Sequence, residues 1–251
     1  MILAVDIGNS TIRLGVFDGA LTVHKLDTYP LMPPSSYLEA LRSAVGEKGM
    51  DKPPEGIVIS SVVPGHIEAL REAARGLSGA EPLLVGPELD TGLRFDVLSP
   101  EELGSDRIAA SVAAAELYGP PVVAVDFGTA TTVNFVGRGN VFKGGAILPG
   151  PGLMKQSLSA GTARLPEISL KRPPSAVGRD TEGCILSGVI CGSAGAVERI
   201  ITAAEDEEGE RYGVVVTGGH LEFVLSFMSR VDGLEPELTL KGLKLIYERN
   251  R

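Results

Sequence analysis

The chain has no tryptophan, two cysteines, three histidines and few aromatics of any kind. Two cysteines exclude a disulfide framework. Cys184 and Cys191 lie seven residues apart in a segment that reads as helix, so they share a face. They are expected to be small buried apolar residues. His24, His66 and His220 are scattered, with no metal-ligand spacing among them. Positive charge is also scarce: 23 Lys and Arg against 32 Asp and Glu leave a net charge of −9. That disfavours nucleic acid or an anionic membrane as a partner of the whole chain. It leaves room for a small anion held locally by backbone N–H groups and a metal. No uninterrupted apolar run is long enough to span a bilayer. The N-terminus lacks a basic segment, and its apolar run breaks at Asp6, so no signal peptide is expected. The expectation is a cytoplasmic protein with no nucleic-acid and no membrane partner.

What is present is a hydrophobic share of 43% in 251 residues, enough for a sizeable core and for two small domains. Strand-like runs at 1–7, 12–18 and 21–28 precede an amphipathic helix near 35–48. A buried strand at 56–63 and a helix opened by Pro64 follow, with a short strand at 82–86. Ser99, Pro100 and Glu102 fit an N-cap, a first-turn proline and a capping-box glutamate. Gly104 interrupts that pattern, so 99–118 reads as one helix or as a short turn and a helix from Ser105. After Gly119-Pro120-Pro121 the strands restart at 122–127, 131–137 and 140–148. Helices are expected near 152–160, 182–207, 220–230 and 239–249, with a strand at 214–217.

The restart is a repeat. AVDIGNSTIRLGV (4–16) aligns without gaps on AVDFGTATTVNFV (124–136), with six of thirteen positions identical at a constant offset of 120. Similarity at half the chain length implies two copies of one domain. The division is expected at 117–121, giving domains 1–117 and 118–251.

Each copy ends a buried strand in Asp-x-Gly followed by hydroxyls: Ser10 and Thr11, or Thr129, Thr131 and Thr132. The acid emerges at the mouth of the sheet, and glycine allows positive φ or close approach by another group. Nearby N–H groups and hydroxyls can face phosphate, and a divalent cation reverses the repulsion between acid and anion. A hairpin shaped by Gly and Asn is the plain alternative for one copy. Two copies at a fixed offset favour the Mg-phosphate device. Thr217-Gly218-Gly219 precedes a helix and either admits a flat ring or is an ordinary turn. GSDR (104–107) places a carboxylate beside a guanidinium. Asp106 could take a hydroxyl proton while Arg107 clamps a carboxylate. The alternative is an acid at a helix start, favoured there by the dipole. Gly188, Gly192 and Gly195 in the 182–207 helix imply either close approach of another helix or packing on the chain's own sheet.

Taken together, DIGNS (6–10), SSVVP (60–64), GSDRI (104–108), DFGTATT (126–132), GGAILPG (144–150), RLP (164–166), GRDT (178–181), TGG (217–219) and LTLKGL (238–243) resemble the type III pantothenate kinase family over nearly the whole chain. The resemblance implies an α/β chain with the actin-like ATPase (sugar kinase/heat-shock chaperone) fold: two ribonuclease-H-like domains with an interdomain cleft. It implies ATP-dependent phosphorylation of pantothenate at its 4′-hydroxyl, the first step of coenzyme A biosynthesis. Asp106 would be the general base, and Gly104, Ser105, Asp106 and Arg107 would hold pantothenate. Asp6, Ile7, Gly8, Asn9, Ser10, Thr11, Ile12 and Arg13 would form the first phosphate loop, with Asp6 serving Mg²⁺ through the phosphate. Asp126 would bind the required monovalent cation, K⁺ or NH₄⁺, and Thr129 would contact ATP. Thr181 would reach pantothenate from the neighbouring subunit of a homodimer. The sequence departs from the family at Val97, where a tyrosine is usual, and at Asn134, often Asp. Val97 keeps two alternatives in view: a non-catalytic nucleotide-binding regulator, or a kinase of another hydroxy acid.

Overall fold

The computed structural model describes every residue except 174, with residues 47–51 described by their backbone alone. In chain order the elements are β1 (Ile2–Ile7), β2 (Thr11–Asp18), β3 (Ala20–Asp27), α1 (Pro34–Asp51), β4 (Gly56–Ser61), α2 (Ile67–Ser78), β5 (Leu83–Leu84), β6 (Arg94–Phe95) and α3 (Ser105–Tyr118). Then follow β7 (Val122–Phe127), β8 (Ala130–Gly137), β9 (Val141–Pro149), α4 (Pro151–Gly161), α5 (Thr181–Glu208), β10 (Gly213–Thr217), α6 (Leu221–Val224), β11 (Gly233–Leu234) and α7 (Leu238–Arg249). Chain contacts divide the molecule into Met1–Ala113 with Leu238–Arg251, and Ala114–Glu237. The terminal helix, expected with the second half, therefore belongs to the first unit.

In the first unit the strand order is β3-β2-β1-β4-β5. β1 pairs antiparallel with β2 and parallel with β4, so one hairpin and one crossover share its two edges. Alternation along β1 sorts its side chains. Leu3, Val5 and Ile7 join Tyr37 and Leu41 of α1 and Leu70 of α2 in one buried cluster. Ala4 joins Val58, Ile108, Ala109 and Val112 of α3, and Leu240, Leu243 and Ile246 of α7, in another. This second cluster returns α7 to the first unit. At about 1.5–3 kcal/mol for each fully buried large aliphatic side chain, its three residues hold the helix there.

The second unit repeats the plan with β9-β8-β7-β10-β11. β7 is antiparallel to β8 and parallel to β10, as β1 is to β2 and β4. The repeat read from sequence is thus a repeat of topology. Val123, Val125 and Phe127 face α5, packing with Leu186, Val189, Ile190 and Val197.

Gly188, Gly192 and Gly195 lie on the opposite, exposed side of α5, and a Cβ added at any of them meets nothing within 4 Å. Packing on the chain's own sheet does not explain them. The cysteines follow: Cys184 is exposed and Cys191 partly so, against the expectation of burial, because their spacing puts them near that side. α5 is also long and apolar enough by length and composition to cross a membrane, but its apolar side is spent on the sheet.

Segment 99–118 resolves as a 3-10 turn (Pro100–Glu102) and then α3. The Ser99 side chain makes no capping hydrogen bond, so the expected capping box does not form. The helix expected at 220–230 shortens to α6 and a 3-10 turn (Leu225–Phe227).

Candidate active site

In the first unit, β1 delivers Asp6 one residue before its end. Asp6 lies opposite Arg13 of β2 and opposite Ser60 of β4. Arg13 Nε stands 3.6 Å from Asp6 Oδ2, with both side chains largely shielded from solvent. Between the strands runs the turn Gly8–Thr11. Gly8 N–H donates to Thr11 O at 3.1 Å. A Cβ on Gly8 would lie 3.1 Å from that same oxygen, so glycine serves close approach here and not positive φ. Asn9 and Ser10 are exposed at the tip. Thr28, fully buried and overlooked in the sequence, braces the turn from the end of β3. Its hydroxyl donates to Gly8 O at 2.7 Å and its N–H to Ser10 O at 3.2 Å.

The GSDR segment starts α3. Ser105 is turned into the fold, its hydroxyl 2.9 Å from Ser60 Oγ and accepting from Ser61 N–H at 2.9 Å. Asp106 is half-buried, and its Oδ1 accepts the Arg107 N–H at 2.8 Å. A Cβ on Gly104 would come 2.5 Å from Asp106 Oδ1, so only glycine leaves room for that carboxylate orientation. Burial pushes the Asp106 carboxyl above the ordinary carboxylate range, against the pull of the Arg107 amide and guanidinium. Burial also lowers the Arg107 guanidinium, and the Asp106 charge partly offsets this. A carboxylate so poised is a stronger base than an exposed one.

In the second unit, β7 delivers Asp126 opposite Thr132 of β8 and Thr217 of β10. Two glycines flank its carboxylate: a Cβ on Gly128 would lie 3.2 Å from Asp126 Oδ1, and one on Gly218 would lie 2.5 Å from it. Gly218 has φ +111°, a conformation that also requires glycine. The turn Gly128–Ala130 is braced from two sides. His220 N–H donates to Phe127 O at 2.9 Å, and His220 Nδ1 lies 3.1 Å from Gly128 O. Gly150 N–H donates to Thr129 O at 3.0 Å, and a Cβ on Gly150 would come 2.1 Å from Gly128 O. TGG is therefore more than an ordinary turn: its glycine makes room for Asp126 and it leads into the histidine that holds the turn. Asn134 is buried and its amide donates to Thr132 Oγ1 at 3.1 Å.

Thr181 opens α5 with its side chain exposed. Asp180 caps that helix, accepting from Gly183 N–H at 2.7 Å. Gly178 packs so closely that a Cβ would lie 2.2 Å from Cys184 N. Among the described residues no three His, Cys, Asp or Glu side chains form a group that could hold a metal by themselves.

The type III pantothenate kinase family model matches residues 2–203. The type III pantothenate kinase of Moorella thermoacetica is 40% identical over 253 residues, spanning the whole of both chains. That of Roseiflexus sp. is 41% identical over 254 residues, again spanning both. Among solved structures, a Baf family protein from Campylobacter jejuni matches with a TM-score of 0.61 at 21% identity, covering 99% of this chain and 98% of its own. That last likeness speaks to fold alone. The architecture, α/β with two mixed sheets, is that of the actin-like ATPases and sugar kinases.

Proposed function

Because the chain belongs to the type III pantothenate kinase family, we propose that it transfers the γ-phosphoryl group of ATP to the 4′-hydroxyl of pantothenate, the first step of coenzyme A biosynthesis. The observation that carries this reading is Asp106: a half-buried carboxyl at the start of α3, raised by burial, with an arginine next to it. A protein that only binds nucleotide has little use for such a base.

In this reading the Arg107 guanidinium holds the pantothenate carboxylate, and the backbone from Gly104 to Arg107 lines the acceptor side. Asp106 takes the hydroxyl proton as the oxygen attacks the γ-phosphorus, and ADP departs. Asp6 to Arg13 form the phosphate loop. Arg13 adds a cation within reach of Asp6, and Asn9 and Ser10 are exposed at the tip of the turn, where phosphate would approach. Thr129 contacts ATP, as the family resemblance implies. Asp6 would serve Mg²⁺ through the phosphate, which suits the lack, among the described residues, of any ready-made group of metal-binding side chains. When bound, that ion neutralises charge on the phosphates. Asp126 would hold the K⁺ or NH₄⁺ that the family resemblance implies, and the glycines at 128 and 218 leave room around its carboxylate. The exposed glycine side of α5 supports a homodimer, in which Thr181 of one protomer completes its partner's site. The working compartment is the cytoplasm.

The test is a coupled ADP-release assay with purified protein. Turnover is expected only with pantothenate, Mg²⁺ and K⁺ or NH₄⁺ together, and replacing K⁺ by Na⁺ should remove it. Absence of pantothenate-dependent turnover from a folded dimer under those conditions overturns the reading.

A further inference from the structure

Asp106 is the second residue of α3, and the first turn of a helix is held least by its own hydrogen bonds. Two contacts from elsewhere in the first unit hold it. The first is Ser105. Its hydroxyl lies 2.9 Å from Ser60 Oγ, accepts the Ser61 N–H at 2.9 Å and lies 3.3 Å from Ser61 O. Ser60 and Ser105 are both buried. Ser60 is in register with Asp6, and residues in register share a sheet face. One row thus runs from Asp6 through Ser60 to Ser105, which adjoins Asp106 in sequence.

The second contact is Gly242 on α7. A Cβ there would lie 1.8 Å from Ala109 O, 2.5 Å from Ala109 C and 3.0 Å from Ala109 Cα. Ala109 is about one helical turn beyond Asp106. The obstacle is backbone, which cannot yield as the end of a side chain can. α7 therefore lies closer to α3 than any residue but glycine permits, and Ile108, Val112, Leu240 and Leu243 close around the contact.

We propose that Ser105 and Gly242 are positioning residues for Asp106: the serine ties the start of α3 to the end of β4, and the glycine sets the distance from α3 to α7. This rests on the kinase reading of Asp106. It also changes the role of Ser105, whose hydroxyl is committed to β4 and does not face substrate. A misplacement of about 1 Å at a catalytic base costs on the order of a hundredfold in rate.

The test compares wild type with Ser105→Ala, Ser105→Thr, Gly242→Ala and Gly56→Ala, measuring kcat, KM for both substrates and the melting curve. Gly56 is the control: the three atoms nearest a Cβ there all belong to the Tyr247 side chain of α7 and none to α3. Ser105→Ala and Gly242→Ala should lower kcat by at least about tenfold while KM for ATP stays within about twofold. Ser105→Thr, which keeps the hydroxyl, should recover most of kcat. Gly56→Ala should lower the melting temperature yet keep kcat. Wild-type kcat in Ser105→Ala, or an equal loss of kcat in Gly56→Ala at matched stability, overturns the proposal. Should Gly242→Ala fail to fold, the Ser105→Ala and Ser105→Thr pair decides. A wild type without pantothenate-dependent turnover brings down the kinase reading itself, and that result is separate from any loss confined to the variants.

Discussion

The two Asp-x-Gly turns align without a gap in sequence, yet they are not built alike. Ile7 pairs with Ile12 across the first turn, leaving Gly8, Asn9, Ser10 and Thr11 between the strands. Phe127 pairs with Thr131 across the second, leaving only Gly128, Thr129 and Ala130. A slip of one residue turns every following side chain to the other face of its strand. Arg13 consequently stands beside Asp6, whereas its sequence counterpart Val133 is buried against α5 and Thr132 stands beside Asp126. One acid is partnered by a guanidinium, while the other has a hydroxyl residue for its neighbour and glycines around it. On the proposed roles, this difference of one turn residue separates a phosphate-facing acid from a cation-facing one. Measurements on the acids and on the glycines of the two turns break or sharpen that contrast, and a third concerns the acid at the start of α3.

The largest effect is expected from the acids. Asp6→Asn should cut turnover by roughly 10²–10³-fold while pantothenate binding, measured by calorimetry, stays largely intact. Asp126→Asn should instead raise the K⁺ concentration needed for half-maximal rate. If both variants give the same phenotype, the division of labour between the two turns is wrong.

Next come the glycines. Gly218→Ala adds a Cβ at φ +111° and 2.5 Å from both Asp126 Oδ1 and the Phe127 backbone. Its cost by urea denaturation should be about 3 kcal/mol. Gly8→Ala meets only Thr11 O at 3.1 Å, with φ outside the left-handed region, and should cost about 1 kcal/mol or less. Equal costs would mean that the second turn is no more constrained than the first.

The smallest effect concerns stability at the acceptor acid, which belongs to neither turn. The Asp106 carboxyl is raised by burial, so the fold carries the cost of its charge above the folded pKa and none below the unfolded one. Asp106→Asn should therefore melt at a higher temperature than wild type at neutral pH. The gain should vanish as pH falls into the ordinary carboxylate range. The acid limb of kcat/KM in the wild type should likewise lie above that range. A limb at the usual aspartate value would remove the support that burial gives to the role of general base.

Much of this was legible in the residues. The Asp-x-Gly pairs and the offset of 120 locate both turns, and the break at Gly104 gives a helix from Ser105 as one of two readings, the one that the structure bears out. The Asp6–Arg13 contact was not legible, because an ungapped alignment hides a change of register. Thr28, His220 and Ser60 were missed because bracing hydrogen bonds leave no periodic trace, although SSVVP and TGG lie directly on or beside them. Ser99 fitted an N-cap by type and spacing, but a 3-10 turn there left its side chain without a backbone N–H to accept. The cysteines were misjudged because residue type says little about which side of a helix lies open. α7 was assigned to the wrong unit because nothing local in LTLKGL says which sheet its apolar side will meet.

The return of α7 to the first unit has a consequence for the order in which the chain takes shape. Residues 114–237 form a contiguous unit that can complete its contacts as soon as it is synthesised. The first unit cannot: the face of its sheet that carries Asp6 and Ser60 has only α3 to cover it until Leu238–Arg249 has been made. The usual N-to-C order of domain completion is thereby reversed. A nascent chain stopped short of Leu238 would hold a finished second unit and an unfinished first one, its α3 lacking the neighbour that packs against Ala109. A chain truncated before Leu238 is thus expected to lack part of the packing behind Asp106, whatever the state of its second unit.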